Sequence, residues 1–558
     1  MTATPHKRPA SEETTLIVAI VVLAVVLVGV PWLGWSTAAL VDDTVPRPGG
    51  PGSMWSHISE AGWPAAATPW TIGYAVVLAV GVIAVAFLLG DRRRRRGPLA
   101  GKVGDLPIDP VGLRRYTTGG GPFIGHVLGH NGSQGAAVRM TLEDQALAIA
   151  GPRVGKTTAL AVPAALEHPG PVIVTSNKRD IYDATATARA RRGRVWLFDP
   201  QSLVDTSPPQ WWWNPLDTAT TVAGARRLAS IWSHATRESG ARTDAYFDTA
   251  GDELLAQLIL AAALHPAQRV SLIYEWASVP DDHTPIDVLR QHPELAAMAT
   301  GLAGNQRLPD KQRAGVYATA QRSIAWLADP AIVRWVEDPT GTRPRWRATS
   351  LAGSTDTLVS LSREGEASAT PLVTSMTAAV IEAAERAAAA SPSGRLPVAM
   401  LGVLDEAANV CRWRELPDLY SHLGSRGIVL FSFFQSWAQM VAAFGAEGAE
   451  KLWSSANVRI YAGGVTDTTF LRRLSDIAGE HDETYWSSSF TAPTGFTSSG
   501  GRGRTRSDAM QVRRIATLDV ATLAALPAGH AFVTLSSARP VIVRLVPFFD
   551  RPSKKGRR

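Results

Sequence analysis

Residues 150–157 read A-G-P-R-V-G-K-T, a near match to the pattern G-x-x-x-x-G-K-[ST]. Set between a strand and a helix, that pattern forms a phosphate loop. Its chemistry needs backbone N–H groups wrapped around phosphate oxygens, glycine where the backbone must come close, and a helix N-terminus whose dipole favours an anion. On this reading Ala150, Gly151, Pro152, Arg153, Val154, Gly155, Lys156, Thr157 and Thr158 form the cradle. Lys156 reaches the β- and γ-phosphates, and the Thr157 hydroxyl sits on Mg²⁺. Ala150 stands where the pattern has its first glycine, and Gly151 is offset by one. Alanine is tolerable there if its φ is negative. The alternative is a chance glycine turn with a surface lysine. The apolar strand Ala146–Ala150 before the loop and the helix-like stretch Thr157–Leu166 after it favour the phosphate loop.

A second constellation lies about 250 residues on. Residues 398–406 read V-A-M-L-G-V-L-D-E, an apolar strand ending in two acids. A carboxylate at the end of a buried strand is costly unless it is hydrogen-bonded or holds a metal. Asp405 suits Mg²⁺, through water, and Glu406 suits polarisation of an attacking water. Alone, such a strand end could instead cap a helix; beside a phosphate loop it reads as the other half of a nucleoside triphosphatase site. Downstream, S-R-G-I-V-L-F-S-F-F-Q-S (425–436) reads as turn, strand and polar strand end. Gln435 is placed as a γ-phosphate or water sensor, the alternative being an ordinary amide. Arg426, at the turn, could act as an arginine finger in a neighbouring subunit, or simply form a surface salt bridge.

The stretch 404–440 resembles the signature of type IV secretion coupling proteins, the TraG/TraD-type conjugative DNA-transfer ATPases. Four further stretches are similar to that family: Thr175–Lys178, Phe198-Asp-Pro200, Trp213-Asn-Pro-Leu216 and Asn457–Asp467. The resemblance implies a membrane-anchored, ring-forming motor, typically a hexamer, that binds ATP and Mg²⁺. Its nucleotide domain would be RecA-like with an inserted all-α domain. Its partners would be single-stranded DNA, a relaxase or relaxosome, and the proteins of the secretion channel. Carried over by residue, Lys156, Thr157, Asp405, Glu406, Gln435 and Arg426 fall on functional positions, and Ala150 is the departure.

The elements that must position these residues follow from texture. Alternation of short apolar strands (Ala146–Ala150, Val172–Thr175, Arg194–Phe198) with helical stretches predicts an α/β fold with a parallel sheet. The expected divisions are 141–216 and 346–548 for the two parts of the nucleotide domain, 217–345 for the alanine-rich helical insertion, and 549–558 for a basic tail. The low-complexity run 486–507 is expected to be a loop. Ahead of these lie two uncharged runs, Leu16–Trp35 and Pro69–Gly90, the second followed by Asp91 and five arginines. They predict transmembrane helices at 15–35 and 69–90, with 1–14 cytoplasmic, 36–68 extracytoplasmic and 91–140 a basic juxtamembrane region and linker. A cleaved signal peptide fits less well, because the first run exceeds the usual apolar core of about 7–15 residues. The expected location is the plasma membrane, with two spans and both termini cytoplasmic.

Composition narrows the classes. A chain of 558 residues is too long for a small binding module. The single cysteine, Cys411, excludes a disulfide framework and a multi-cysteine zinc site. No H-E-x-x-H motif and no G-x-S-x-G elbow is present, so zinc and serine hydrolase chemistry are unsupported. The net charge of +7 permits polyanion binding without specifying it. Trp211-Trp212-Trp213 reads as packing rather than a base-stacking platform, and Arg189-Ala-Arg-Arg192 as a solvated face. The preferred function is an ATPase motor coupling hydrolysis to conjugative transfer of DNA or nucleoprotein. The alternatives are an FtsK-like DNA translocase, a protein-secretion ATPase, a non-hydrolysing nucleotide-gated relaxosome receptor, or a structural channel component.

Overall fold

The structure is a computed structural model that describes residues 25–94, 106, 109–129, 133–237, 244–365, 368–491 and 505–551. The chain divides into two compact units, Met1–Gly97 and Pro98–Arg558.

The first unit holds the helices Val30–Val41, Pro51–Ala61 and Thr68–Arg94. Trp35 is buried there with Ala38, Ala39, Met54 and Ala67, and its indole N–H donates to the Pro46 carbonyl at 2.9 Å. The expectation of a two-span anchor with both termini cytoplasmic is corrected: among the described residues no helix is long and apolar enough to cross a membrane. Leu16–Ala24 lies outside the described residues. In the rest of the first run a π-helical turn at Val25–Gly29 leads directly into a 12-residue α-helix with Pro31 in its first turn. Twelve residues rise only about 18 Å, against the ~30 Å of a bilayer core.

The second unit is built on an 11-stranded mixed sheet. Its strands are β1 (Phe123–Leu128), β2 (Gln134–Arg139), β3 (Ala146–Ile149), β4 (Val172–Ser176), β5 (Val195–Phe198), β6 (Thr357–Leu361), β7 (Met400–Leu404), β8 (Ile428–Phe434) and β9 (Val458–Tyr461). After these come β10 (Glu480–Thr491), β11 (Thr505–Ala516), β12 (His530–Leu535) and β13 (Ala538–Arg544). The spatial order is β2-β1-β13-β12-β9-β3-β8-β7-β4-β6-β5. From β9 to β5 every pairing is parallel; from β9 outward through β12, β13, β1 and β2 every pairing is antiparallel.

Parallel strands covered on both faces read as near-continuous apolar runs, and β3, β4, β6, β7 and β8 are buried along their whole length. Successive side chains point to opposite faces. Accordingly Leu147 and Ile149 join one apolar cluster while Ala146 and Ala148 join the other. The first cluster continues into the helix Thr370–Ala390 and the helical segment between β5 and β6. At the centre of that segment runs the helix Ala245–Leu264, capped by the Asp244 carboxylate, which accepts from the N–H groups of Tyr246 and Phe247. Leu254–Ala263 of that helix is buried throughout, so the alanines serve close helix packing.

The run 486–507 is not simply a loop. Residues 486–491 and 505–507 belong to β10 and β11, which pair antiparallel from Glu480↔Ala516 to Thr491↔Thr505, apart from the main sheet. Backbone pairing over twelve residues outweighs the weak strand preference of its serines. Trp211 and Trp213 are buried, and Trp211 packs edge-on against Trp196 and Trp335. Arg189 is not solvated but buried, its guanidinium donating to Thr357 Oγ1 and to the carbonyls of His168, Gly170 and Thr355.

Candidate functional site

The strand order places β8 between β3 and β7, all parallel. The segments that leave their C-terminal ends therefore lie side by side. They are the loop 150–157, the pair Asp405-Glu406 and the residue Gln435.

The loop follows the steric demands of its sequence. Ala150 is absent from the residues with positive φ, so a Cβ is accommodated there, and its N–H donates to the Phe434 carbonyl at 3.0 Å. Gly151 cannot be replaced as easily: a Cβ would lie 2.2 Å from the Gly464 carbonyl oxygen. Its N–H donates to the Gly463 carbonyl at 2.9 Å, so the turn after β9 braces the loop from one side. Arg153 (φ 61°) and Gly155 (φ 91°) both take left-handed conformations, coiling the loop back on itself. Pro152 and Arg153 are exposed, whereas Val154, Lys156, Thr157 and Thr158 are half-buried. Thr157 opens a π-helical turn, Thr157–Ala161, that runs into the helix Val162–Glu167.

Lys156, Glu406 and Gln435 meet. The Lys156 ammonium pairs with Glu406 Oε1, and the two side chains are only 11% and 4% exposed. Gln435 Nε2 donates to the other carboxylate oxygen at 2.8 Å. Glu406 itself has φ 52° and ψ 44°, a strained left-handed conformation for a residue with a Cβ. Strain of this kind persists where the surroundings over-determine it; here both carboxylate oxygens are held from opposite sides.

Asp405 is equally buried and differently served. Its Oδ2 accepts from Ser176 Oγ at 3.2 Å, while Oδ1 has no hydrogen-bond partner, and neither has the buried Thr175 Oγ1. Burial pushes the Asp405 carboxyl up to about 6, against the pull of the nearby Lys156 charge. A buried carboxylate oxygen without a donor is an incomplete site that an oxygen-seeking cation completes. Among the described residues, no group of three or more His, Cys, Asp or Glu could hold a metal ion. A divalent cation here would therefore depend on phosphate oxygens as well as on Asp405 and Thr157, as is usual for Mg²⁺.

Arg426 is not brought to this cluster. It ends the turn Gly424–Arg426 at the N-terminal end of β8, nine residues before Gln435, and pairs with Glu385 at 2.7 Å. Seven strand residues span roughly 23 Å.

Four residues of the neighbourhood escaped the sequence reading. Ser176, at the end of β4, supports Asp405. Gln439 accepts from the Gln435 backbone N–H at 3.0 Å and donates to Asn409 Oδ1 at 2.9 Å. Asn409 Nδ2 donates to Glu364 Oε1 at 2.7 Å. A signal for Gln439 existed: Ser436 caps the helix Trp437–Ser455 by accepting from the Gln439 N–H, which fixes Gln439 one turn beyond Gln435. Nothing in the local sequence marked Glu364.

A family model described as the TraM recognition site of TraD and TraG matches residues 399–527, which include Asp405, Glu406 and Gln435. The type IV secretion system-coupling protein VirD4 of Bartonella quintana (strain Toulouse) is 24% identical over 355 residues, covering 58% of this chain and 51% of that protein. The VirD4 of Bartonella henselae gives the same identity and coverage. The chain thus spans about half the length of these curated relatives. Among solved structures, the bacterial conjugative coupling protein TrwBdeltaN70 in an unbound form aligns with a TM-score of 0.54 at 14% identity, covering 80% of this chain and 94% of that one. Plasmid coupling protein TrwB in complex with ADP and Mg²⁺ aligns with a TM-score of 0.54 at 15% identity, covering 81% and 94%. At such identities the likeness shows the fold: a large α/β sheet with helices inserted.

Proposed function

We propose, on the premise that the family model, the curated relatives and the solved folds all support the type IV coupling protein family, that this chain is a P-loop ATPase serving conjugative type IV secretion. The observation that carries the reading is the meeting of Lys156, Glu406 and Gln435 at the ends of neighbouring parallel strands, beside an Asp405 oxygen that lacks a donor. In this reading the loop 150–158 holds the phosphates of ATP. Lys156 leaves Glu406 for the β- and γ-phosphates. Thr157 and Asp405 hold Mg²⁺, which neutralises phosphate charge when bound. Glu406, freed from Lys156, accepts a hydrogen bond from the attacking water, and Gln435 orients that water against the γ-phosphate. Arg426, remote from its own chain's loop, acts in the site of an adjacent copy within a homo-hexameric ring.

The cargo is single-stranded DNA with its relaxase, received from a relaxosome and passed to the secretion channel. The description of the matching family model as a TraM recognition site supports a relaxosome partner for the segment 399–527. The test is ATP turnover by the full chain, with and without single-stranded DNA, beside Lys156→Ala. Turnover stimulated by DNA and abolished in the variant is expected. Full turnover by Lys156→Ala would overturn the site assignment.

A further inference from the structure

Beyond the three residues that meet phosphate and water, a chain of amides runs from the site to the surface. The backbone N–H of Gln435 donates to Gln439 Oε1 at 3.0 Å. Gln439 Nε2 donates to Asn409 Oδ1 at 2.9 Å, and Asn409 Nδ2 donates to Glu364 Oε1 at 2.7 Å. Asn177 Nδ2 donates to the same Glu364 oxygen. Glu364 is exposed, on the segment after β6, and Gln439 and Asn409 are half-buried. The chain joins segments far apart in sequence, and each bond points the same way, toward Glu364.

That common direction has a chemical cause. A carboxylate is an acceptor only, whereas a primary amide presents a donor at one end and an acceptor at the other. Glu364 therefore draws the NH₂ of Asn409. This turns the Asn409 oxygen toward Gln439, draws the Gln439 NH₂, and leaves the Gln439 oxygen facing the Gln435 N–H. Reversing the charge at the end would reverse every amide and set the Gln439 NH₂ against the Gln435 N–H, donor against donor.

We propose that Glu364, through Asn409 and Gln439, is the polarity-setting end of a relay that positions Gln435 against Glu406. Gln439, Asn409 and Glu364 are positioning residues, not catalytic ones, and their effect on turnover rests on the ATPase reading above. The structural half of the proposal does not: the relay protects the Gln435 backbone N–H whether or not the chain hydrolyses ATP.

The relay makes a specific rescue possible. In Glu364→Lys the new ammonium donates to the Asn409 oxygen, and to Asn177 Oδ1, which is buried and has no partner in the wild type. Asn409 then offers its NH₂ to Gln439, whose own amide is turned the wrong way. Adding Gln439→Glu supplies an acceptor at both ends, one oxygen for Asn409 Nδ2 and one for the Gln435 N–H. Gln439→Glu alone keeps an acceptor for the Gln435 N–H but sets two carboxylates against the one NH₂ of Asn409.

Two readouts on the full chain test this. The first is hydrogen exchange of the Gln435 backbone amide without nucleotide. Glu364→Lys should exchange about tenfold faster than the wild type, the loss expected for one hydrogen bond; Gln439→Glu, which keeps an acceptor for that N–H, should stay within about threefold, and so should the double variant. The second is ATP turnover with the binding of ADP measured separately. Glu364→Lys should lose roughly tenfold in kcat while ADP affinity stays within about twofold, and the double variant should recover. A double variant no better than Glu364→Lys in exchange overturns the relay, as does Glu364→Lys with unchanged exchange. Wild-type protein without turnover overturns the ATPase reading alone, and the exchange series still decides the relay. Circular dichroism of each variant separates these effects from unfolding.

Discussion

The pairing of Lys156 with Glu406 has a consequence that can be measured before any turnover is seen. A phosphate can take Lys156 only by replacing Glu406, so the carboxylate competes with nucleotide. In Glu406→Gln the amide has one acceptor oxygen, while two donors face it, the Lys156 ammonium and Gln435 Nε2. One of them must lose its partner, and the charge attraction to Lys156 is gone. A hydrogen bond between charged groups contributes about 1.5–3 kcal/mol. At about 1.4 kcal/mol per tenfold, relief of that competition tightens nucleotide binding by roughly 10- to 150-fold. Turnover should fall in the same variant by about 10²–10⁴, because the group that receives the water's proton is lost. The assay is calorimetric titration of the full chain with ADP and with a non-hydrolysable ATP analogue, both with Mg²⁺, alongside steady-state turnover. Unchanged or weaker binding by a correctly folded Glu406→Gln would refute the argument that Glu406 holds Lys156 away from phosphate.

Three further outcomes follow from the geometry. Gly151→Ala would place a Cβ 2.2 Å from the Gly464 carbonyl; it should weaken ADP binding at least tenfold and cost about 1–3 kcal/mol in urea unfolding, and wild-type behaviour would show that the Gly463-Gly464 turn does not brace the loop. Arg189→Met leaves the Gly170 and Thr355 carbonyls and the Thr357 hydroxyl without their donor, while the His168 carbonyl keeps Arg192, so thermal unfolding should show a loss of about 3 kcal/mol with ADP affinity little changed. His168 is buried and its Nε2 bonds the Ala399 carbonyl; burial lowers its pKa to about 4 from 6.5. The unfolded chain therefore takes up this proton first as pH falls, so the stability is fully present above about 6.5 and is lost between about 6.5 and 4, with a ceiling near 3 kcal/mol. His234 is lowered to about 4 as well, by burial and then by Arg414, Arg237 and Arg412, and adds loss in the same window. Unfolding curves between pH 7 and 4.5 that differ equally little in wild type and His168→Gln would contradict this.

What the sequence made legible was whatever is written in contiguous residues. The loop 150–157, the acids at 405–406 and the glutamine at 435 each carry their own local signal: apolar strand, then turn, then a polar group. The α/β alternation that predicts a parallel sheet is of the same kind, and the observed β3, β4 and β5 start and stop within a residue or so of the expected runs. What stayed hidden depends on which strand lies next to which. Only the insertion of β8 between β3 and β7 brings Gln435 within 2.8 Å of Glu406, and periodicity does not encode strand order. Arg189 misled for a related reason: its run of arginines looks solvated until the His168, Gly170 and Thr355 carbonyls are placed around it. The N-terminal runs misled differently. Counting apolar residues runs over Leu16–Trp35, whereas among the described residues no helix is long and apolar enough to cross a membrane. The relay from Gln435 to Glu364 is the limiting case. Its members are ordinary amides and one exposed carboxylate, none carrying a motif. Their meaning lies in the direction of three hydrogen bonds between segments 30 and 45 residues apart for the two outer steps. A property of that kind belongs to the fold, and a charge reversal with its rescue reads it more directly than any single truncation.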